Sequence, residues 1–330
     1  LTKLIYRTSH NGVAMTYVLS LLLGVFTVVE LNCENLFDCQ HDSLKHDEQF
    51  LPTSDYHWTP YRYWTKVNRI GQTILSCGES ANEWSLPDMV GLCEVENDSC
   101  LIALTRRSLL RHARYEYVMT HSPDERGIDV ALLYSPFSFQ LLDWHAISIH
   151  PVKDMRPTRD VLYAKGRVVT GDTLHVFVVH APSRMGGEPF TRSHRRIVGD
   201  ILLQTIDSIW SVSTRPHILV MGDFNDYSSD ENILRLVQSG LVEVSANAKG
   251  THGAKATYRF RGEWGSLDHI FLDKSSAALV QECYVHDVPF LLEKDEKYGG
   301  VKPRRNYQGP RYLNGFSDHL PLVMRINWQK

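Results

Sequence analysis

Nothing in this chain of 330 residues offers a polyanion a uniform positive field. Its 35 Lys and Arg are outnumbered by 38 Asp and Glu, for a formal net charge of -3, so a phosphate compound must be drawn by local groups or a bound metal ion. Also missing are the Gly-x-Ser-x-Gly elbow of serine hydrolases and the phosphate loop of nucleotide-driven motors. The six cysteines, Cys33, Cys39, Cys77, Cys93, Cys100 and Cys283, lack the paired short spacings of a zinc or redox motif. Mostly buried free thiols are expected, and bridges remain open in an oxidising compartment. No Gly/Ser linker, charge block or internal repeat divides the chain. Past residue 24, no run approaches the roughly 20 apolar residues a membrane span needs.

What is present is the composition of a globular protein, 43% apolar and 10% aromatic, long enough to bury a substantial core. Lys3 and Arg7 precede an apolar stretch over 13–24 with the charge order and length of a signal-peptide core. Residues 1–24 are read as an N-terminal extension that predicts export to the periplasm or medium. A buried extension of the first strand in a cytoplasmic protein is the alternative, since no small-x-small cleavage site follows before Asn32. Residues 25–330 are read as one domain, assumed monomeric.

Apolar runs rich in Val, Ile and Leu recur at 26–31, 89–92, 130–134, 174–179, 217–221, 269–272 and 322–326. They predict strands, several buried on both faces. Helical spacing appears at 61–77, 99–111, 191–210 and 229–239. The mixture predicts α/β or α+β architecture. Polar segments at 39–60 and 294–315 read as surface insertions. The second places Lys297, Lys302, Arg304, Arg305 and Arg311 among Tyr298, Tyr307 and Tyr312 with no acid between 297 and 312. Such a loop suits a phosphodiester backbone or a stacked base, though charge runs are more often solvated faces.

Polar groups appear where the apolar runs end. The first run finishes in Asn32 and continues as Glu34-Asn35-Leu36-Phe37-Asp38; the second delivers Glu94 and Glu96, which strand alternation places on one face. An amide oxygen and a carboxylate at adjacent strand ends form a hard-oxygen site for Mg²⁺ or Mn²⁺. Gly222-Asp223-Phe224-Asn225-Asp226 follows another run. It reads either as a loop-closing Asx-turn or as a base and hydrogen-bond donor aimed into a cleft. Asp268 and His319 open two further strands and suit a carboxylate–imidazole pair. His180 ends the 174–179 run, with Ser183 and Arg184 just beyond.

Arriving in this order at strand ends, these groups resemble the endonuclease/exonuclease/phosphatase superfamily of pancreatic-type deoxyribonucleases, apurinic endonucleases, inositol polyphosphate 5-phosphatases and neutral sphingomyelinases. The most specific pieces are Gly222-Asp223-Phe224-Asn225 and Ser317-Asp318-His319. The segments beginning Asn32-Cys-Glu-Asn, Arg126-Gly-Ile-Asp and His180-Ala-Pro-Ser resemble an uncharacterised bacterial branch. The resemblance implies a four-layer sandwich: two mainly antiparallel sheets facing each other, with helices outside and the cleft at one edge. It implies Mg²⁺ or Mn²⁺ held by Glu94 and Asn32, with Asp318 supporting the metal or His319. Asp223 then activates water, Asn225 places it, and Asp268 aligns His319 to donate to phosphoryl oxygens. His180 is the second histidine, with Asp129 offered as its partner, and Ser183 and Arg184 are offered to phosphate. Cys93 stands where Gln is common before the metal-binding Glu, and is expected to pack. The expected activity is phosphodiester hydrolysis by direct water attack. A nuclease is favoured, with Lys302, Arg304 and Arg305 gripping nucleic acid. A phosphatase, a phospholipid phosphodiesterase and a catalytically silent binding module are the alternatives.

Overall fold

Period-two alternation along the first strand divides its side chains between two cores. In β1 (Val25–Leu36), Phe26 and Val28 join a cluster between two sheets, while Val29, Leu31 and Cys33 join another beneath a helix. The computed structural model describes residues 25–80, 83–213 and 216–329; the 1–24 extension, with its export expectation, lies outside the described residues.

The remaining strands in chain order are β2 (Met89–Val95), β3 (Glu116–Met119), β4 (Asp129–Tyr134), β5 (Phe139–Ile147), β6 (Val161–Val168), β7 (Thr173–His180), β8 (His217–Asp223), β9 (Leu241–Glu243), β10 (Tyr258–Phe260), β11 (Glu263–Gly265), β12 (Asp268–Asp273), β13 (Val280–Val285), β14 (Leu292–Lys294), β15 (Val301–Pro303), β16 (Tyr307–Gln308), β17 (Arg311–Tyr312) and β18 (Leu322–Asn327). One six-stranded sheet runs β13-β18-β1-β2-β4-β3 and the other β5-β6-β7-β8-β12-β9. Three two-stranded ribbons, β10-β11, β14-β15 and β16-β17, complete the β-structure among the described residues. Met89, Val130, Leu132, Val176, Val178, Leu219, Met221 and Ile270 fill the space between the sheets. Burial of each such side chain contributes about 1.5–3 kcal/mol.

Helices cover the outer faces. Thr59 caps the Pro60–Ser76 helix by accepting from the Arg62 N–H, and Pro60 has the backbone angle a first turn needs. Its Tyr63, Val67, Ile70 and Ile74 bury one stripe on the first sheet. Glu188–Val212 and Glu231–Gln238 cover the second sheet through Val198, Leu202, Ile206, Ile233 and Leu236. The expected four-layer sandwich is what the chain forms.

The helix expected over 99–111 is broken. Asp98–Ile102 is α-helical, but a π-turn at Ala103–Arg107 and a 3-10 turn at Leu109–His112 follow. Thr105 and Ser108 hydroxyls donate to the carbonyls of Leu101 and Leu104, which disturbs the regular ladder. All six cysteines are free thiols. No helix among the described residues is long and apolar enough to cross a membrane.

Each sheet is antiparallel except for one central parallel pair, β1-β2 in the first and β7-β8 in the second. Parallel strands end at the same edge, so Asn32 and Glu94 leave one sheet where His180 and Asp223 leave the other. The antiparallel neighbours β12 and β18 begin at that edge, which brings Asp268 opposite Asp223 and puts His319 just ahead of β18.

Candidate active site

The strand ends open into a cavity of about 880 Å³ lined by Asn32, Glu94, His180, Asp223, Asn225, Asp318 and His319, among others. Asn32 donates from Nδ2 to Asp223 Oδ2 at 3.0 Å and accepts the Glu34 N–H on Oδ1 at 2.9 Å, which fixes its amide orientation. Asp223 Oδ1 accepts the Asn225 N–H at 2.8 Å, and the Asn225 amide donates to the Ala181 carbonyl at 3.1 Å. Gly222 makes this turn possible. Its φ is 143°, and a Cβ there would lie 1.9 Å from the Val179 carbonyl oxygen.

Glu94 reaches the cavity because its backbone is left-handed, with φ 61°, at a bulge between Cys93 and Val95. That bulge overturns the expectation that Glu94 and Glu96 share a face: Cys93 packs between the sheets, Val95 packs under the outer layer, and Glu96 turns away. Glu96 Oε2 accepts the Asp38 N–H and the Cys100 thiol instead. Burial, followed by repulsion from Asp38, pushes Glu96 up to about 8. The Asp38, Glu96 and Cys100 cluster is therefore separate from the cavity lining.

Glu94 Oε2 accepts the Asn35 N–H at 2.9 Å. Its Oε1 faces Arg126 Nη1 at 3.9 Å and His180 Nε2 at 4.0 Å. His180 Nε2 lies 3.7 Å from Asp223 Oδ2, and its buried Nδ1 has no hydrogen-bond partner among the described residues. Burial, reinforced by the Arg159 and Arg126 cations, holds His180 well below the usual range, which favours its neutral form. Asp129 is not its partner: that carboxylate accepts from Thr120 and Ser122. The oxygens of Glu94, Asp223 and Asn32 are each hard donors of the kind Mg²⁺ or Mn²⁺ takes. Among the described residues at this site, those with ligand atoms within 4.8 Å of one another are Asp223, Asp268 and His319.

Asp268 is fully buried and its Oδ2 accepts His319 Nδ1 at 2.8 Å and the Thr257 hydroxyl. This holds the ring with Nε2 available on the other side. Burial opposes protonation of His319, but the charge and hydrogen bond of Asp268 outweigh it and raise the imidazole well above its usual range. Burial, and then the Asp268 charge, push Asp223 up to about 7. Ser317 ties the segment before β18 to the end of β1: its hydroxyl accepts the His319 N–H and donates to the Asn32 carbonyl.

The proposed substrate contacts separate. Ser183 and Arg305 line the cavity; Arg184, Lys302 and Arg304 are not among its lining residues. Arg184 donates to Asp230 at 2.8 Å and stacks over Tyr227. Lys302 pairs with Glu293 at 3.2 Å, while Arg304 lies over the Phe316 ring. Cys93 packs as expected, fully buried with its thiol toward the Val179 carbonyl.

Four residues beyond the sequence reading shape the site. Glu34 lines the cavity two residues after Asn32, a spacing that flags it. Arg126, in a segment already singled out, faces Glu94. Arg159, fully engaged below the surface, pairs with Asp124 at 3.0 Å and donates to the carbonyls of His180 and Ala181. Glu30, with no exposed surface, lies on the inner face below the site. Burial and the charges of Asp268 and Asp223 push its carboxyl well above the usual range. The two insertions also meet: Phe50, Tyr56 and Tyr307 form an aromatic wall, with Tyr56 and Tyr307 ring centres 4.9 Å apart.

A family model described as the Endonuclease/Exonuclease/phosphatase family matches residues 27–328. No curated protein sequence matches the chain. Among solved structures, an endonuclease/exonuclease/phosphatase family protein of Bacteroides thetaiotaomicron superposes with a TM-score of 0.62 at 16% identity, covering 92% of this chain and 97% of that one. A mannosyl-6-phosphatase of the same organism gives 0.61 at 16% identity, with 91% and 98% covered. The human Nocturnin catalytic domain, with bound sulfate, gives 0.55 at 18% identity, with 92% and 94% covered.

Proposed function

Since the chain belongs to the endonuclease/exonuclease/phosphatase family, we propose that it is a divalent-metal-dependent phosphoesterase that hydrolyses its substrate by direct attack of water on phosphorus. The observation that carries this reading is the convergence of Asn32, Glu94, Asp223, Asn225 and His319 on one cavity from both sheets. Glu94 and Asn32 would supply oxygens for Mg²⁺ or Mn²⁺, which when bound would offset negative charge on the phosphoryl group. Asp223 takes a proton from the attacking water, and its raised affinity for protons suits that task near neutral pH. Asn225 holds the Asp223 turn and places the water. His319, protonated and steadied by Asp268, donates from Nε2 to a phosphoryl oxygen where charge develops. Neutral His180 stands between Glu94 and Asp223 with Nε2 facing both and adds no charge.

Within that class we read a nuclease acting on single strands or chain ends. The aromatic wall of Phe50, Tyr56 and Tyr307 supports stacking of a base. A cavity of this size suits one nucleotide-sized group, and the pairing of Lys302 argues against an open cationic track for a duplex. The test is a substrate panel with Mg²⁺: single- and double-stranded DNA, RNA, bis-nitrophenyl phosphate, inositol phosphates, sugar phosphates and sphingomyelin. Turnover of single strands above duplex is expected, abolished by chelator and restored by Mg²⁺ or Mn²⁺. Chelator-insensitive hydrolysis by the pure protein defeats the mechanism. Preference for a sugar phosphate or lipid defeats the nuclease reading alone.

A further inference from the structure

The turn that carries Asn225 is gripped from outside the cavity. Asn225 has a left-handed backbone, with φ 52°, a conformation that persists where its surroundings enforce it. The bond from its N–H to Asp223 Oδ1 already closes the loop, yet further groups hold the two peptide units that follow. Arg184 Nη1 donates to the Asn225 carbonyl at 3.4 Å and to Asp230 Oδ2 at 2.8 Å, with Asp226 Oδ1 3.6 Å away. Asp226 is buried and accepts Arg195 Nε on Oδ1 at 2.6 Å and the Asn232 amide on Oδ2 at 2.8 Å. Its backbone carbonyl accepts His269 Nε2 at 2.8 Å. Arg195, of the Glu188–Val212 helix, is buried too and donates from Nη1 to Thr191 Oγ1 at 2.7 Å. Arg184, Arg195, Asp226 and His269 are not among the cavity-lining residues.

We propose that Arg184 and Arg195 are positioning residues for the hydrolytic step: from behind the turn they fix Asn225, and through it the attacking water. The inference rests on the reading of Asn225 as the group that places water. Arg184 stands in the segment after His180 that the sequence offers to phosphate. Its guanidinium is instead committed to the turn, to Asp230 and to the Tyr227 ring, 4.7 Å from the ring centre. A planar fork can face two acceptors and a ring at once, which an ammonium cannot. Arg195 and Asp226 form an ion pair away from water, the kind of pair that specifies one arrangement more than it adds stability. Without the two arginines the loop still closes, but the left-handed turn loses two of its outer supports, and water is placed less well for in-line attack.

The experiment compares kcat and KM with Mg²⁺ on bis-nitrophenyl phosphate and on single-stranded DNA, beside each variant's thermal melt. The Arg184 side chain is 27% exposed, so Arg184→Ala should fold. Its kcat is expected to fall by about 10- to 100-fold on both substrates with KM unchanged, the signature of an interaction used in the transition state. Arg184→Lys keeps the charge without the fork and should recover only part of that loss. Arg195→Met with Asp226→Leu removes both charges together, so no buried acid is left unpaired; the same fall in kcat at constant KM is expected. If that double variant melts below the assay temperature, the two Arg184 variants decide. A raised KM with kcat intact, or a flatter dependence of KM on salt, puts Arg184 on substrate phosphate and overturns the inference. Wild-type kcat in any folded variant overturns it too, as does a fall in kcat that tracks a fall in melting temperature. Each of these results leaves the phosphoesterase reading standing, whereas a wild type that turns over neither substrate removes that reading itself.

Discussion

The floor of the cavity and its walls are held by different means. Asn32, His180, Asp223 and Asp268 sit at strand ends among buried neighbours; Asn32 bonds Asp223 across the two sheets, and Asp268 bonds His319. The walls come from loops and the first turn of the Glu188–Val212 helix: Met185 is 86% exposed and Phe190 55% exposed, although both face the cavity. Rigid sheets can hold reacting groups within the tolerance that proton transfer needs, while loops can change their contacts without disturbing the core. Chemistry should therefore reside in the floor and selectivity in the walls, and variants on each side can break that division.

The largest effect is expected from Asp223→Asn. Loss of the base should lower kcat by about 10³-fold. Because burial and Asp268 already disfavour a charged Asp223, the amide should leave the melting temperature unchanged or raise it. A fall in both activity and melting temperature would mean that Asp223 holds the fold together rather than acting on water. Asp268→Asn should be milder, about 10²-fold in kcat, since His319 remains but loses the carboxylate that raises its proton affinity. The check is the pH profile, whose descending limb should move to lower pH as imidazolium becomes easier to deprotonate. An unmoved limb would remove His319 from the role of proton-bearing donor.

The floor was legible in the sequence because apolar runs locate strands, and polar residues just past them have few places to go except the sheet edge. Asn32, Asp223 and His319 were found that way. Glu94 was found, but its geometry was not: alternation assumes an unbroken pleat, and the left-handed residue at the bulge turned Glu96 to the other side. Short or half-exposed strands such as β5, with Leu142 and Trp144 exposed, carry no clean alternation and escaped notice. The walls were the least legible part. The aromatic contact between residues 39–60 and 294–315 joins segments about 250 positions apart in sequence, and no local pattern reports it. The basic run at 297–312 reads as more cationic than the folded loop is for a related reason. Its partner Glu293 precedes the acid-free window, and Glu34 and Asp318 lie beyond it.

Wall variants should act on substrate binding and choice. Arg126→Ala removes a cation facing Glu94 from the cavity. A hydrogen bond to a charged group contributes about 1.5–3 kcal/mol, so kcat/KM should fall by roughly tenfold or more through KM. Phe190→Ala should cost about threefold to tenfold, on the scale of one aromatic contact, and differ between substrates. If either change instead lowered kcat on every substrate alike, the division between floor and walls would fail.

The smallest effect belongs to the double variant Lys302→Ala, Arg304→Ala. Were the loop a nucleic-acid grip, removing two cations would weaken binding and flatten its salt dependence by about two phosphate contacts. The structure gives both side chains other work: Lys302 pairs with Glu293, each about one-third exposed, and Arg304 covers Phe316. A surface pair of that kind contributes about 0–1 kcal/mol, so stability should fall only slightly. Activity on the preferred polymer should change by less than about twofold, within the range of a contact not made to substrate. The slope of log KM against log salt should match the wild type. A flatter slope would show that these pairs open to receive phosphate, and would move part of the substrate grip outside the cavity.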